Sequence, residues 1–150
     1  MPQSLSKVIL HVVFSTKNRE ATITGEIRAD LHAYLAGTCR ALESEAFRVG
    51  GTSNHIHLAC TLPRTLTQSK LLEERKKSSS AWIKKHPCAP SYFSWQAGYG
   101  AFSVSQSQLP ALVQYIDGQE QHHHTKTYEE ELIELLKKYR VEYDENYLWD

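Results

Sequence analysis

The stretch AFRVGGTSNHIHLACTL (residues 46–62) limits the fold more than any other. It reads as two strands, 46–53 and 54–62, joined through a Gly-Gly turn, which makes an antiparallel hairpin. The hairpin is bracketed by two helical segments. Upstream, residues 24–43 place Ile27, Leu31, Tyr34, Leu35 and Leu42 at helical spacing, with Thr24 as the expected cap. Downstream, residues 65–86 form a basic amphipathic helix stopped by Pro87. Outside these lie SKVILHVVFST (6–16), rich in β-branched residues, and the aromatic run 91–105, read as a strand broken by a turn. The order is β-α-β-β-α-β. It predicts an α+β fold of the ferredoxin-like split βαβ type, an antiparallel sheet with helices on one face. Two more helices follow, 107–124 with Pro110 in its first turn and 127–140 with Thr127 as its cap.

A chain of 150 residues, 41% hydrophobic and 23% charged, suits one globular domain. We expect a core over about 6–105 and a C-terminal helical appendage over about 107–150. No apolar run approaches the roughly 20 residues needed to cross a bilayer, and the N-terminal residues lack a secretory pattern. The expected location is the cytoplasm. Cys39, Cys60 and Cys88 are odd in number and widely spaced, which fits free thiols and not a disulfide framework.

Net charge is zero, but charge is unevenly placed. Residues 64–86 carry seven basic side chains against two acidic ones, and residues 128–150 carry eight acidic against three basic. A solvated helix face is the simpler account of the basic segment; a polyanionic partner is the functional one.

His55 and His57 lie two apart in a strand, so their imidazoles point to one face. They can chelate a metal ion or stand as ordinary polar residues on the wet side of the sheet. The helix 107–124 adds a second polar stripe. Tyr115 and Gln119 are four apart, and His122 and His123 fall on roughly the same face. Its apolar stripe is elsewhere, at Leu109, Leu112, Val113 and Ile116. The polar stripe is expected to face the sheet that bears the two histidines.

Together these residues resemble the single-tyrosine HUH transposases, which include small insertion-sequence enzymes and REP-associated tyrosine transposases. HIH at 55–57 is similar to the family's His-hydrophobic-His motif, and YIDGQ at 115–119 to its tyrosine helix. HVVFSTKNR at 11–19 resembles its first strand and basic turn. The likeness covers roughly residues 6–140. Gly118 departs from the family, which often has Asn there. Glycine inside a helix costs about 1 kcal/mol relative to alanine, but the Tyr115–Gln119 spacing is kept.

The resemblance implies a prokaryotic, cytoplasmic enzyme, nucleoid-associated at most, that cuts and rejoins single-stranded DNA near hairpins. Tyr115 would be the nucleophile, forming a 5′-phosphotyrosine. His55, His57 and Gln119 would hold Mg²⁺ or Mn²⁺. Lys17, Arg19, Asn54, Arg75, Lys76 and Lys77 are candidate DNA contacts. His11, His122 and His123 are candidates for a supporting shell, although a solvated helix end is the simpler reading of 122–124. The resemblance also implies a homodimer in which Tyr115 serves the partner's histidines, with SVSQSQ (103–108) as the extensible connection. Two other readings stay open. One is a domesticated, non-catalytic nucleic-acid binder of the same fold, although the aromatic patterns of an RNA-recognition sheet are missing. The other is a metal-dependent phosphoester hydrolase, which would have no use for the tyrosine.

Overall fold

The structure, a computed structural model, describes residues 2–150. Four strands form one antiparallel sheet: β1 (Ile9–Ser15), β2 (Ala46–Gly51), β3 (His55–Thr61) and β4 (Gly100–Val104), in the order β2-β3-β1-β4. That order is the split βαβ arrangement the hairpin required. Helices α1 (Gly25–Ala41) and α2 (Gln68–Lys85) are the two crossovers. The α2 start is fixed by Thr67, whose hydroxyl accepts from the Lys70 amide at 3.1 Å.

Strand alternation divides the core in two. Leu10, Val12, Phe14, Ile56, Leu58 and Cys60 point to one face, where Ile27, Leu31 and Leu35 of α1 and Leu71, Leu72 and Ile83 of α2 cover them. Each such side chain contributes about 1.5–3 kcal/mol on burial. The opposite face presents Ile9, His11, Val13, Ser15, His55, His57 and Ala59. It is not open to water. Leu109, Leu112 and Ile116 of α3 (Leu109–Asp117) pack on Ile9 and Ala59. Tyr128, Leu132 and Leu136 of α5 (Tyr128–Lys138) pack on Val13 and Phe102. The C-terminal helices thus form a second layer, and the sheet is covered on both sides.

Two further expectations are revised. Of residues 91–105, only 100–104 join the sheet; the preceding segment touches it through an isolated bridge, Trp95 to Thr16. There the Gln96 side chain takes the place of a ladder partner, its Oε1 accepting from the Ser15 amide at 2.7 Å. The helix expected over 107–124 is broken at Gly118, where α3 ends and a one-turn helix, α4 (Gln119–His122), begins. The break is slight, because the Gly118 amide still reaches the Gln114 carbonyl at 3.0 Å and the His122 amide reaches the Gly118 carbonyl at 2.9 Å.

Candidate active site

The middle of the sheet prepares the site by omission. His57 pairs with Gly50 on β2 and with Val13 on β1, and Val13 pairs with Gly100 on β4. With no side chain at Gly50, α3 lies directly on β2; a Cβ there would stand 2.6 Å from Ile116 Cγ2 and 2.9 Å from the Ile116 carbonyl oxygen. Arg48 and Asp117 join across this contact at 3.2 Å. The close approach delivers the next residues, Tyr115 and Gln119, to the histidines.

His55 and His57 are fully buried, so the wet sheet face expected for them is corrected: α3, α4 and α5 enclose it. His55 Nε2 lies 2.8 Å from Gln119 Oε1. Its other nitrogen, Nδ1, lies 2.8 Å from Asn54 Oδ1 and 3.0 Å from Thr52 Oγ1. His57 Nδ1 meets His11 Nε2 at 2.7 Å, and the two rings stack with centroids 5.0 Å apart. His123 Nδ1 meets the Lys126 carbonyl at 2.5 Å, and its Nε2 meets Gln119 Oε1 at 3.0 Å.

A residue that the sequence reading missed stands at the centre. Glu131 of α5 is 2% exposed. Its Oε1 is 2.9 Å from His57 Nε2 and 3.1 Å from His123 Nε2. Its Oε2 accepts from Gln119 Nε2 at 2.9 Å and from the Tyr115 hydroxyl. His122 comes to 3.4 Å from Oε2, and its ring lies 5.5 Å from that of Tyr115. Thr52, which steadies His55, and Tyr128, whose ring lies 4.7 Å from that of His55, were also missed.

Burial sets the electrostatics. It lowers His11 and His55 to about 3, with the neighbouring His57 adding to the effect. Burial acts on His123 in the same direction, but its hydrogen bond to Glu131 outweighs this and raises it. Burial pushes Glu131 up, and hydrogen bonds from His123 and His57 more than reverse it, to below the usual carboxylate range. Tyr115 is raised well above an ordinary phenol, by burial and then by the Glu131 hydrogen bond.

The donors suit a cation. His55, His57, His123 and Glu131 each offer one ligand atom, all within 4.8 Å of one another. With its proton on Nδ1, donated to Asn54 Oδ1, His55 turns the Nε2 lone pair into the cluster; with the proton on Nε2 it donates to Gln119 Oε1 and Nδ1 accepts from the Thr52 hydroxyl. The Gln119 orientation is set by its Nε2 donating to Glu131, and that of Asn54 by its Nδ2 reaching the Arg19 carbonyl at 3.4 Å. A cation at Nε2 would select the first tautomer.

A family model described as IS200-like transposase matches residues 4–119. The chain belongs to that family. The transposase fold agrees with two solved structures. A candidate transposase from Deinococcus radiodurans R1 is 19% identical with a TM-score of 0.60, over 79% of this chain and 98% of that one. A REP-associated tyrosine transposase bound to a REP hairpin is 17% identical with a TM-score of 0.60, over 82% of this chain and 73% of that one. No curated protein matches the chain. In this transposase the matched segment ends at Gln119, so His122, His123 and Glu131 all lie beyond it.

The candidate DNA contacts scatter. Lys17 and Lys77 are exposed. Arg19 donates to the Trp149 carbonyl at 2.8 Å and lies 5.3 Å from that indole ring, so the C-terminal segment engages it. Asn54 turns toward His55. Lys76 caps the carbonyls of Gln96 and Gly98 at 3.0 and 2.5 Å, and burial lowers it to about 8. Arg75 is fully buried, with one nitrogen 3.4 Å from Ser44 Oγ, and cannot meet a phosphate. The basic helix α2 covers the sheet face opposite the histidines, so it does not line the site. A polar cleft beside the site has mixed charge in its walls, with Arg19, Arg28 and Lys126 set against Glu120, Glu129 and Glu130, and Arg28 is paired with Glu120 at 2.6 Å.

Tyr115 reaches the histidines of its own chain, its ring 5.6 Å from that of His57. Within this single chain the connection is a tight turn, in which Ser105 and Gln108 form a capping box ahead of α3. Among the described residues no helix is long and apolar enough to cross a membrane.

Proposed function

We propose that this chain cuts and rejoins single-stranded DNA near hairpins through a covalent bond between Tyr115 and a 5′-phosphate. The observation that carries this reading is the single buried cluster of Tyr115, Gln119 and the His55–His57 pair, linked through Glu131. A packing tyrosine would not need a hydroxyl aimed into a nest of metal-ligand atoms.

His55, His57 and Gln119 are the proposed metal ligands, and Mg²⁺ or Mn²⁺ the proposed ion. When bound, the ion supplies Lewis-acid stabilisation of charge on the scissile phosphate and lowers the cost of a phenolate nearby. The protein residues do the rest. α3 holds the Tyr115 oxygen at the mouth of the cluster. Its proton is directed to Glu131 Oε2. Attack forms the Tyr115 Oη–P bond and breaks the P–O3′ bond, and the leaving 3′-oxygen takes up one proton, so none is gained or lost overall. Attack by a DNA 3′-hydroxyl reverses the step without ATP. With Tyr115 raised far above neutral pH by burial and Glu131, the hydroxyl is inert until the site is loaded. His11 and Asn54 support this by fixing the rings of His57 and His55. The proposed cis site needs no second chain; a homodimer would carry two such sites.

The test is direct. The protein is incubated with hairpin-bearing single-stranded DNA and Mn²⁺, denatured, and run on a gel. Wild type should give a covalent adduct. Tyr115→Phe should bind metal and hairpin DNA normally and give none, because only the attacking oxygen is lost. No adduct from wild type with any divalent ion, or an adduct that survives Tyr115→Phe, overturns the proposal. Binding without an adduct would mark a domesticated binder.

A further inference from the structure

Glu131 is a carboxylate where the sequence asks for a hydrophobe. It lies on the face of α5 that carries Tyr128, Leu132 and Leu136, inside the second core. A carboxylate in such a place is tolerated only when its charge is matched. No lysine or arginine lies within 4 Å of it among the described residues. What surrounds it is imidazole, amide and phenol.

The orientation of those imidazoles is informative. Each has its Nδ1 engaged on the far side: His55 with Asn54, His57 with His11, His123 with the Lys126 carbonyl. Each turns its Nε2 toward Glu131 Oε1, at 3.6, 2.9 and 3.1 Å respectively. That is how metal-binding histidines are held, with the outer N–H anchored and the inner lone pair free. Three inner nitrogens and one carboxylate oxygen converge on one point. Two of these donors, His123 and Glu131, come from the segment after the family match.

We propose that Glu131 is the anionic ligand of the metal site and His123 a third imidazole ligand, so that this transposase takes a borderline ion such as Mn²⁺ or Co²⁺ in preference to Mg²⁺. This rests on the function proposed above in assigning the site to an ion; it adds Glu131 and His123 to the ligands named there and narrows the choice of ion. Three nitrogen donors disfavour Mg²⁺, which takes oxygen ligands and keeps its waters. The carboxylate supplies the charge that makes binding tight in a buried place. Its second oxygen, already on the Tyr115 hydroxyl, makes Glu131 a positioning residue for the nucleophile.

The experiment measures metal binding to the DNA-free protein by calorimetry and by Mn²⁺ paramagnetic resonance. Wild type should bind Mn²⁺ at least 100-fold more tightly than Mg²⁺. Glu131→Gln keeps the shape and removes the charge; it should weaken Mn²⁺ binding about 100-fold, while Glu131→Asp restores part of the loss. His123→Asn, at the rim of the cluster, should weaken it about tenfold and cut the preference for Mn²⁺ over Mg²⁺. It tests the same site should Glu131→Gln fail to fold, which circular dichroism reports. The Co²⁺ visible spectrum should change in both variants. Mn²⁺ affinity within twofold of wild type in folded Glu131→Gln, or equal wild-type affinity for Mn²⁺ and Mg²⁺, overturns the inference. Its failure is separable from that of the function. A normal DNA adduct with metal binding indifferent to Glu131 sinks the ligand and leaves the transposase chemistry. The predicted metal pattern without any adduct does the reverse.

Discussion

Replacing Gly50 with alanine adds one methyl group at the contact that carries α3. The backbone of Gly50 is compatible with alanine, since Gly51, and not Gly50, has the positive φ (148°). The effect is therefore steric. The new Cβ would lie 2.6 Å from Ile116 Cγ2 and 2.9 Å from the Ile116 carbonyl oxygen. A rotamer change can move the first atom but not the second, which belongs to the helix backbone, so α3 must lift by several tenths of an ångström. Overpacking of this kind costs about 1–3 kcal/mol, or about 3–10 °C in melting temperature for a domain of this size. The displaced helix carries Tyr115 and Gln119. A misplacement approaching 1 Å costs up to about 10²-fold in rate, so adduct formation should fall much further than the folded fraction does. Gly37→Ala is the control, because nothing lies within 4 Å of a Cβ on that exposed turn of α1. It should stabilise the protein by about 0.5–1 kcal/mol. The assays are urea unfolding and the rate of adduct formation, both with Mn²⁺. If Gly50→Ala unfolds at the wild-type urea concentration and reacts at the wild-type rate, α3 does not rest on β2 as described.

Two other outcomes follow from the same geometry. Because Tyr115 reaches its own chain's histidines, a mixture of folded Tyr115→Phe and His57→Ala proteins should form no adduct; recovered activity would mean that the tyrosine helix is exchanged between chains. In metal-free buffer, stability should fall as the pH is lowered from about 6.5 toward 3. His11 and His55 must stay neutral in the fold, at about 3 against 6.5 when unfolded, so at these two groups the unfolded chain binds more protons throughout that window, which outweighs the opposite contribution of the single raised His123. The loss by pH 5 is on the order of 2–4 kcal/mol, and an unfolding midpoint unchanged between pH 7 and pH 5 would contradict it.

Much of the fold was readable because it depends on period and order. The hairpin at 46–62 and the two crossover helices leave few topologies, and the observed sheet is the one expected. His55, His57, Tyr115 and Gln119 were readable as a set because strand and helix periods each put two of them on one face. What the periods do not reveal is how far a face is covered. The histidine face read as wet because its residues are polar; it is buried because Leu109, Leu112, Ile116, Leu132 and Leu136 roof the sheet around it. The polar cluster is thus enclosed by an apolar rim. That enclosure moves Tyr115, His11 and His55 away from their solution values, with the Glu131 hydrogen bond adding to the shift at Tyr115.

Glu131 and Arg75 show where a stronger signal lay in the sequence. Each was counted as one charge among many, in an acidic and a basic run. Each also sits on the apolar stripe of its helix. Arg75 is four residues from Leu71 and from Ser79, and Ile83 continues the row; Glu131 follows Tyr128 by three and precedes Leu135 by four. A charged side chain in that register is carried into the protein interior by its neighbours, whatever its own preference. The cost of burial then demands a reason at each place. For Glu131 the reason stands next to it: imidazoles, an amide and a phenol that no other carboxylate serves. For Arg75 the surroundings are Ser44 Oγ and the thiols of Cys39 and Cys60, with Nε and one terminal nitrogen unpartnered, and nothing in the structure explains the charge. The register of a charge against the apolar stripe therefore separates these two residues from the solvated ones around them, and only Glu131 meets a constellation able to use it.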